Sequence, residues 1–431
     1  MQRTIEKYTS KQEYFNTLKK RALIPEGFCV STTQFDFSPE EVQAIKPYKM
    51  NLSLIVTEKP TALFHAVFTK NRITGIPVQI GKERLREKLF RGILINNKIA
   101  NVCSINGREN AETLLKGVSE LVGCPASQLW PCSTGIIGLS LPASEMLSAI
   151  PGLVQSLNTE SILPVAQAIM TTDAYPKVRS ISVGDGHLTG IAKGAGMIEP
   201  DMGTMLVFLL TDVAIPKHKL KKSLHEAVAE SFNCISVDAD QSTSDTVLLV
   251  SSGRKKIKDS AAWSRALKSV CGQLAEDIVR NGEGTEHVIK VIVAGSKSIS
   301  RGAGKAIVNS SLVKTAINGN DPNIGRIVSA LGSFLARCRS KINLDRIMIR
   351  IGPMEVFSKG VFKITQEKEA ALVRYLKERK LSSKKEYPEH NKNVEIYVNL
   401  GCKPGRGNNS AVVFGSDLSC EYIRINAEYR T

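Results

Sequence analysis

The sequence predicts a mixed α/β (α+β) protein whose strands and helices pack in layers. Three observations lead there. Short apolar runs of strand length are interspersed with amphipathic stretches at helical spacing, without the strict alternation of a fully parallel sheet. Hydrophobic residues make up 42% of the 431 positions, which is enough for a large core. Gly and Pro are near average abundance, and no repeat or low-complexity linker interrupts the chain.

Taken in order, residues 1–22 are a polar, helix-prone extension. NLSLIV from Asn51 and ALFHAVFT up to Thr69 read as two strands joined by a Pro-containing turn. GKERLREKLFRG (81–92) reads as a charged helix leading into a buried strand, ILIN (93–96). Leu114, Leu115, Val118, Leu121 and Val122 recur at helical spacing and predict a helix over 109–123. Glycine is dense between 135 and 203. TMLVFLLTD (204–212) is a strand with apolar residues on both faces, since its apolar residues follow one another without alternation. Residues 218–231 and 260–280 are amphipathic helices, IKVIVAG (289–295) a core strand and RIMIRIG (346–352) a half-buried one. A helix over 366–379 and the strands VEIYVNLG and NSAVVFGS complete the chain.

Several function classes lose ground on composition. No apolar run is long enough to span a bilayer, so no membrane association is expected. The opening MQRTIEKYTSKQEYF lacks the apolar segment of a secretory signal, and Glu6 and Glu13 argue against a transit peptide, so the expected location is cytoplasmic. Nine cysteines form no CxxC pair, and six histidines form no HxxxH. Reduced thiols and no metal are expected. The formal net charge of +17 raises nucleic-acid binding as an alternative class. Its excess sits in Lys217–Lys222, Arg254–Lys258 and Lys377–Lys385, without interleaved aromatics for base stacking, and reads as solvated surface.

Phosphate-loop patterns fail. SRGAGKAI has Gly304-Lys305, but Ile299 and Ala306 stand where the nucleotide loop needs Gly and Ser or Thr. GDGHLTG carries Thr189 in place of the third glycine of a dinucleotide motif. Cys132 and His187 make a thiol–imidazole pair only on paper, since nothing local joins them.

The informative stretch is KGAGMIEPDMGTMLVFLLTDVAI (193–215), a glycine-rich turn delivering a hydroxyl residue to the start of a buried strand. An autoprocessing N-terminal nucleophile requires that arrangement. Gly203 has no Cβ, so its carbonyl can adopt a strained conformation within reach of the Thr204 hydroxyl. An N-to-O acyl shift and hydrolysis would then expose the Thr204 α-amine. Its pKa of roughly 8 suits a general base for the hydroxyl on the same residue. On pattern alone, a turn feeding a core strand is the better explanation of the segment.

With its companions, the segment resembles the ornithine acetyltransferase, or glutamate N-acetyltransferase, family of arginine biosynthesis, in which a KGSGMI–P–MATML element is cut before its threonine. PCSTGIIGLSLP (131–142), AIMTTD (168–173), RNGEGTE (280–286), NSSLVKTAINGNDPNIGRI (309–327) and INAEYRT (425–431) follow the family's order, and the likeness spans roughly residues 50–431. The resemblance implies a layered α-β-β-α sandwich, self-cleaved into an alpha chain (1–203) and a beta chain (204–431). It also implies a heterotetramer of two alpha and two beta chains. N2-acetylornithine would acetylate Thr204, and glutamate would take up the acetyl group in a ping-pong cycle. Thr134 and Gly135 would form the oxyanion hole. Thr171, Lys193, Thr204, Glu283, Asn426 and Thr431 would bind substrate, Lys193 meeting a carboxylate and Glu283 an ammonium. Small-molecule amino acids are the implied partners and no cofactor is implied. Acetyl-CoA is a candidate co-substrate, because bifunctional members use it.

The chain departs from the family pattern around these motifs. Gly203-Thr204 replaces Ala-Thr, Thr285-Glu286-His287 replaces the end of GEGATK, Ile324 replaces a tryptophan in DPNWGR, and NNKIANV (96–102) replaces NSGNANA. An Asp321–Arg326 ion pair is expected to be architectural. The departures touch the walls of the site, so a paralogue with another acyl donor or acceptor stays open. A threonine-nucleophile amidase or aminopeptidase, in which water takes the acyl group, also stays open.

Overall fold

The computed structural model describes residues 6–42, 46–199, 205–295, 297–338, 342–382, 386–401 and 410–428. Gly203, Thr204 and Thr431 lie outside the described residues. The chain runs through α1 (Lys11–Arg21), β1 (Phe28–Phe37), β2 (Tyr48–Thr61), β3 (Phe64–Phe68), α2 (Ile76–Arg84), β4 (Phe90–Asn96), α3 (Gly107–Val122), β5 (Leu129–Ser133), α4 (Ala143–Gln155), α5 (Leu163–Ala168), β6 (Lys177–Val183) and β7 (Gly186–Lys193). Then come β8 (Leu206–Ala214), α6 (Lys217–Glu230), β9 (Ile235–Ser236), β10 (Thr246–Lys256), α7 (Ser260–Arg280), β11 (Val288–Ala294), α8 (Lys297–Val308), α9 (Ser311–Asn318) and α10 (Ile324–Arg337). The remainder comprises β12 (Met348–Ile351), β13 (Met354–Ser358), β14 (Val361–Phe362), α11 (Gln366–Glu378), β15 (Val394–Asn399), β16 (Ser410–Ser416) and α12 (Cys420–Ala427).

Two sheets stack face to face between helices, giving the expected α-β-β-α order. The first sheet runs β1-β2-β4-β5 and the second β3-β10-β8-β7-β6. Leu114, Leu115 and Val118 of α3 and Met146, Ile150 and Leu153 of α4 cover the outer face of the first sheet. Its inner face contributes Val30, Ile55, Ile93, Ile95 and Trp130 to a core shared with Phe64, Phe208, Leu210 and Leu248 of the second. Leu220 and Leu224 of α6 and Trp263, Leu267 and Leu274 of α7 close the far side of the second sheet.

β8 is the middle of this arrangement, parallel to β10 and antiparallel to β7, with Leu206 opposite both Thr246 and Lys193. Leu206, Phe208 and Leu210 point into the inter-sheet core, while Val207, Leu209 and Val213 point at the helices. Burial on both faces explains why the run is apolar without alternation. Each such side chain contributes about 1.5–3 kcal/mol of transfer free energy. The expected cut at 203/204 would fall between neighbouring strands and not between domains, because β3, β6 and β7 precede it while β8 and β10 follow it.

A second body forms from the chain after α7, with β9 joining its sheet from before that helix. Its sheet runs β14-β13-β12-β15-β11-β16-β9 among the described residues. Ile289, Val291 and Val293 of β11 share a face with Ile396 and Val398 of β15 and pack against Ile307 of α8, Leu331 of α10 and Leu372 of α11.

The expected helix over 81–92 is displaced. α2 starts at Ile76, where Pro77 presets the first turn, and Phe90–Gly92 already belong to β4. A Cβ on Gly92 would lie 2.7 Å from a Val56 side-chain carbon, so sheet pairing claims that residue. The helix α4 escaped prediction because Pro151 and Gly152 sit inside it and read as breakers. No helix of the described residues is long and apolar enough to cross a membrane.

The N-terminal extension is tied down by charge. Arg179 holds Asp277 through two bonds, of 2.6 and 2.7 Å, and Glu6 at 2.7 Å. His390 adds a 2.7 Å contact to Asp277. Burial alone would raise the Asp277 carboxyl, but Arg179 and His390 outweigh it and hold the group well below the usual carboxylate range. Asp277→Ala leaves the buried Arg179 with Glu6 alone and strips His390 of its partner, and is expected to cost about 3 kcal/mol, read as a lower urea midpoint at unchanged slope.

Candidate functional site

The glycine-rich turn after β7 is held from two sides. The Gly194 amide donates to Asp173 at 2.9 Å, and the amides of Met197 and Ile198 donate to Asp238 at 2.6 and 2.8 Å. Met197 takes φ +55, a left-handed conformation stabilised by that double hold. The Glu283 amide donates to the Ala195 carbonyl at 2.8 Å. A Cβ on Gly196 would lie 2.3 Å from the Glu283 carboxylate, so only glycine admits this approach.

Glu283 is the hub of the turn. One carboxylate oxygen accepts from the Thr172 hydroxyl at 2.6 Å and the other from the Asn426 amide at 2.9 Å. These contacts bring AIMTTD, GEGTE and the last helix, α12, to one point, as the family pattern implies. Thr171 itself spends its amide on Asp173 at 3.1 Å, and the hydroxyl on Glu283 belongs to its neighbour Thr172. Thr172 went unnamed in the sequence because two adjacent threonines cannot be ranked without knowing which way each points.

Lys193 ends β7, paired in register with Leu206. It is 5% exposed and Glu283 is 8% exposed. Neither makes an ion pair among the described residues. By contrast Lys177 and Asp173, both fully buried, meet at 2.5 Å. Burial would raise the Asp173 carboxyl, but Lys177 and then Lys193 bring it down to about 2. A buried cation and a buried anion without ionic partners are costly unless a ligand supplies the counter-charges. An amino acid, with one carboxylate and one ammonium, supplies both.

The Ser133-Thr134-Gly135 turn follows β5. The Thr134 amide donates to the Asn96 carbonyl at 3.1 Å and the Ile136 amide to the Lys98 carbonyl at 2.8 Å. The Gly135 amide between them, and the Thr134 hydroxyl, have no partner among the described residues. Gly135 takes φ +132, and a Cβ there would lie 2.1 Å from the Lys98 carbonyl carbon. Asn97 links this turn to the Glu283 hub, donating to the carbonyls of Ala168 and Met170 at 3.1 Å each. Two adjacent uncommitted donors are what a developing oxyanion needs. The NNKIANV departure thus still shapes the turn, through Asn96, Asn97 and Lys98.

One expectation changes. Arg326 turns to the Leu312 carbonyl at 2.8 Å and the Thr315 hydroxyl at 3.3 Å, while Asp321 accepts from Asn323, so the Asp321–Arg326 pair does not form. His287, which stands where the family has a lysine, is buried against Asp417 at 3.0 Å.

A model of the ArgJ family matches residues 40–431. The chain is 36% identical over 388 residues to the arginine biosynthesis bifunctional protein ArgJ 2 of Clostridium acetobutylicum, covering 89% of this chain and 94% of that protein. It is 34% identical over 415 residues to the arginine biosynthesis bifunctional protein ArgJ of Rhodococcoides fascians, covering 95% of each. It is also 35% identical over 426 residues to the glutamate N-acetyltransferase of Methanopyrus kandleri, covering 94% of this chain and 99% of that protein.

Asp173 orders the turn through its charge, and its folded value of about 2 lies below the 3.8 of a free aspartate. The stability it contributes is therefore present above about pH 4 and lost as pH falls through about 2. The gap in urea midpoint between the wild type and Asp173→Asn is expected to be widest above that window and to narrow toward pH 2.

Proposed function

Because the chain belongs to the ArgJ family, we propose that it is a glutamate N-acetyltransferase of arginine biosynthesis, moving acetyl from N2-acetylornithine to glutamate through an acetyl ester on Thr204. The observation that carries this reading is a buried Lys193 and a buried Glu283 with no ion pair among the described residues, together with a Ser133–Gly135 turn whose Thr134 hydroxyl and Gly135 amide have no partner among them. Lys193 would take the substrate carboxylate and Glu283 an ammonium, with Thr171, Asn426 and Thr431 adding neutral hydrogen bonds.

In this reading the chain cuts itself between Gly203 and Thr204. The freed α-amine takes the Thr204 hydroxyl proton as Oγ attacks the acetyl carbonyl carbon. Thr134 and Gly135 donate to the oxyanion, and the carbon–nitrogen bond breaks as ornithine nitrogen recovers the proton. The glutamate amine then attacks the ester and regenerates the Thr204 hydroxyl. The alpha and beta chains stay together because the second sheet interleaves strands of both. Pairing of two such units, cytoplasmic location and acetyl-CoA as a second donor belong to the same reading. Unpaired thiols at the described cysteines suit a reducing compartment.

Denaturing intact-mass measurement is expected to give two fragments, ending at Gly203 and starting at Thr204, and one uncut chain for Thr204→Ala. Uncut wild type would remove the mechanism. With acetylornithine and glutamate, the wild type should form acetylglutamate; free acetate as the sole product would favour the hydrolase instead. Gly135→Ala is expected to lower kcat by about 100–1,000-fold by displacing one oxyanion donor.

A further inference from the structure

The turn after β7 keeps its shape through the two residues that follow β9. The Val237 amide donates to the Ile198 carbonyl at 2.7 Å, and the Asp238 carboxylate takes the amides of Met197 and Ile198. The Tyr422 hydroxyl adds a 3.2 Å bond to the same carboxylate from α12, the helix that also brings Asn426 to Glu283. Val237 is held in its turn from α9. The Lys314 ammonium donates to the Val237 carbonyl at 2.7 Å, to the Ser416 carbonyl at 2.5 Å and to the Ser416 hydroxyl at 3.3 Å. That hydroxyl donates to the Val237 carbonyl at 2.9 Å and closes a triangle. Lys314, Val237 and Ser416 are all buried.

The ammonium thus has three hydrogen-bond acceptors but no ion pair among the described residues. Three carboxyls attract it from farther away, and each has a nearer partner. Glu199 meets Lys305 at 2.9 Å, Asp417 meets His287 at 3.0 Å, and Asp238 holds the turn amides. Burial outweighs their attraction and brings the Lys314 ammonium from 10.5 down to about 8. Between those two values the unfolded chain binds more protons than the folded one. Stability therefore rises with pH through that window, and the buried charge costs the fold stability below it. A neutral side chain of similar shape would avoid that cost. What the cation supplies instead is a grip on three segments distant in sequence: α9, the end of β16 and the loop that holds the turn.

We propose that Lys314 is a positioning residue for the amino-acid pocket: its ammonium fixes Val237, and Val237 with Asp238 fixes the Met197–Ile198 turn against Glu283. This rests on the reading of that pocket given above. Lys314 acts through the turn and touches no substrate. Without its charge the Val237 carbonyl keeps only the Ser416 hydroxyl, and residues 195–198 gain freedom relative to Glu283. The grip also carries a pH limit of its own. As the ammonium loses its proton above about pH 8, the turn loosens while the same titration favours the fold as a whole.

Lys314→Met tests this in the full-length protein, by backbone hydrogen exchange and by kinetics across pH, with folding checked by circular dichroism. Near neutral pH the Met197 and Ile198 amides are expected to exchange at least about 10-fold faster than in the wild type, while Val207 and Leu209 keep their protection. kcat/KM for acetylornithine is expected to fall about 10–100-fold, mainly through KM. The ratio of wild type to variant should shrink toward one above about pH 8, as the wild type sheds the same charge. Unchanged exchange at Met197 and Ile198 overturns the proposal whatever the kinetics. Faster exchange throughout the core, or a ratio that stays constant across pH 8, also overturns it and leaves Lys314 a stability element. A wild type without transferase activity removes the reading of the pocket, while exchange at Met197 and Ile198 still decides whether Lys314 fixes the turn. If Lys314→Met does not fold, the wild type alone decides. After correction for the intrinsic pH dependence of exchange, protection at Met197 and Ile198 is expected to drop above about pH 8 while that of Val207 holds. Parallel behaviour of the two overturns the proposal.

Discussion

The structure depends on one constraint: β8 must be buried on both faces while its first residues stay addressable by polar groups. Leu206, Phe208 and Leu210 lock the strand to the first sheet, and Val207 and Leu209 lock it to α6 and α7. A strand held from both sides cannot slide, since a one-residue slip would exchange its two faces. Its amino end is therefore a rigid mount. Met205 is gripped there by Asp245 and Thr246, and Lys193 stands opposite Leu206 in the neighbouring strand.

Around that mount the molecule gathers buried charge of two kinds. Asp277 with Arg179, and Asp173 with Lys177, are satisfied pairs that fasten the extension and the turn. Lys193 and Glu283 are buried without an ion pair among the described residues, Glu283 holding only the neutral donors Thr172 and Asn426. A completed pair needs nothing further, whereas an incomplete buried charge gains from whatever ligand or reacting group completes it.

Much of this was readable in the chain. The periods of α3, α6, α7, α11 and the central strands follow from their own residues, because the side chains that decide burial are local in sequence. The site residues were recognisable only through family motifs, and the structure sorts them. Glu283, Asn426 and the TTD segment meet, with Thr172 and not Thr171 on the carboxylate. The Thr134 hydroxyl and the Gly135 amide have no partner among the described residues, while the Thr134 and Ile136 amides are spent. The helix expected at 81–92 failed because Phe90–Gly92 answer to β2, a partner about thirty residues earlier. α4 was hidden by a proline whose cost the packing of Met146, Ile150 and Leu153 offsets.

By itself the sequence determined the layered class, the double-faced strand after Gly203 and the family motifs, because each is written in neighbouring residues. Only the tertiary structure decided which polar groups find which partners. Asp245 illustrates the difference. In sequence it is one acid in a Ser- and Asp-rich loop, 40 residues from Met205. Parallel pairing of β10 with β8 brings it to the Met205 amide, and burial then leaves it to the groups that folding supplies. Hydrogen-bond completion depends on every neighbour that folding brings near, so no local pattern can encode it.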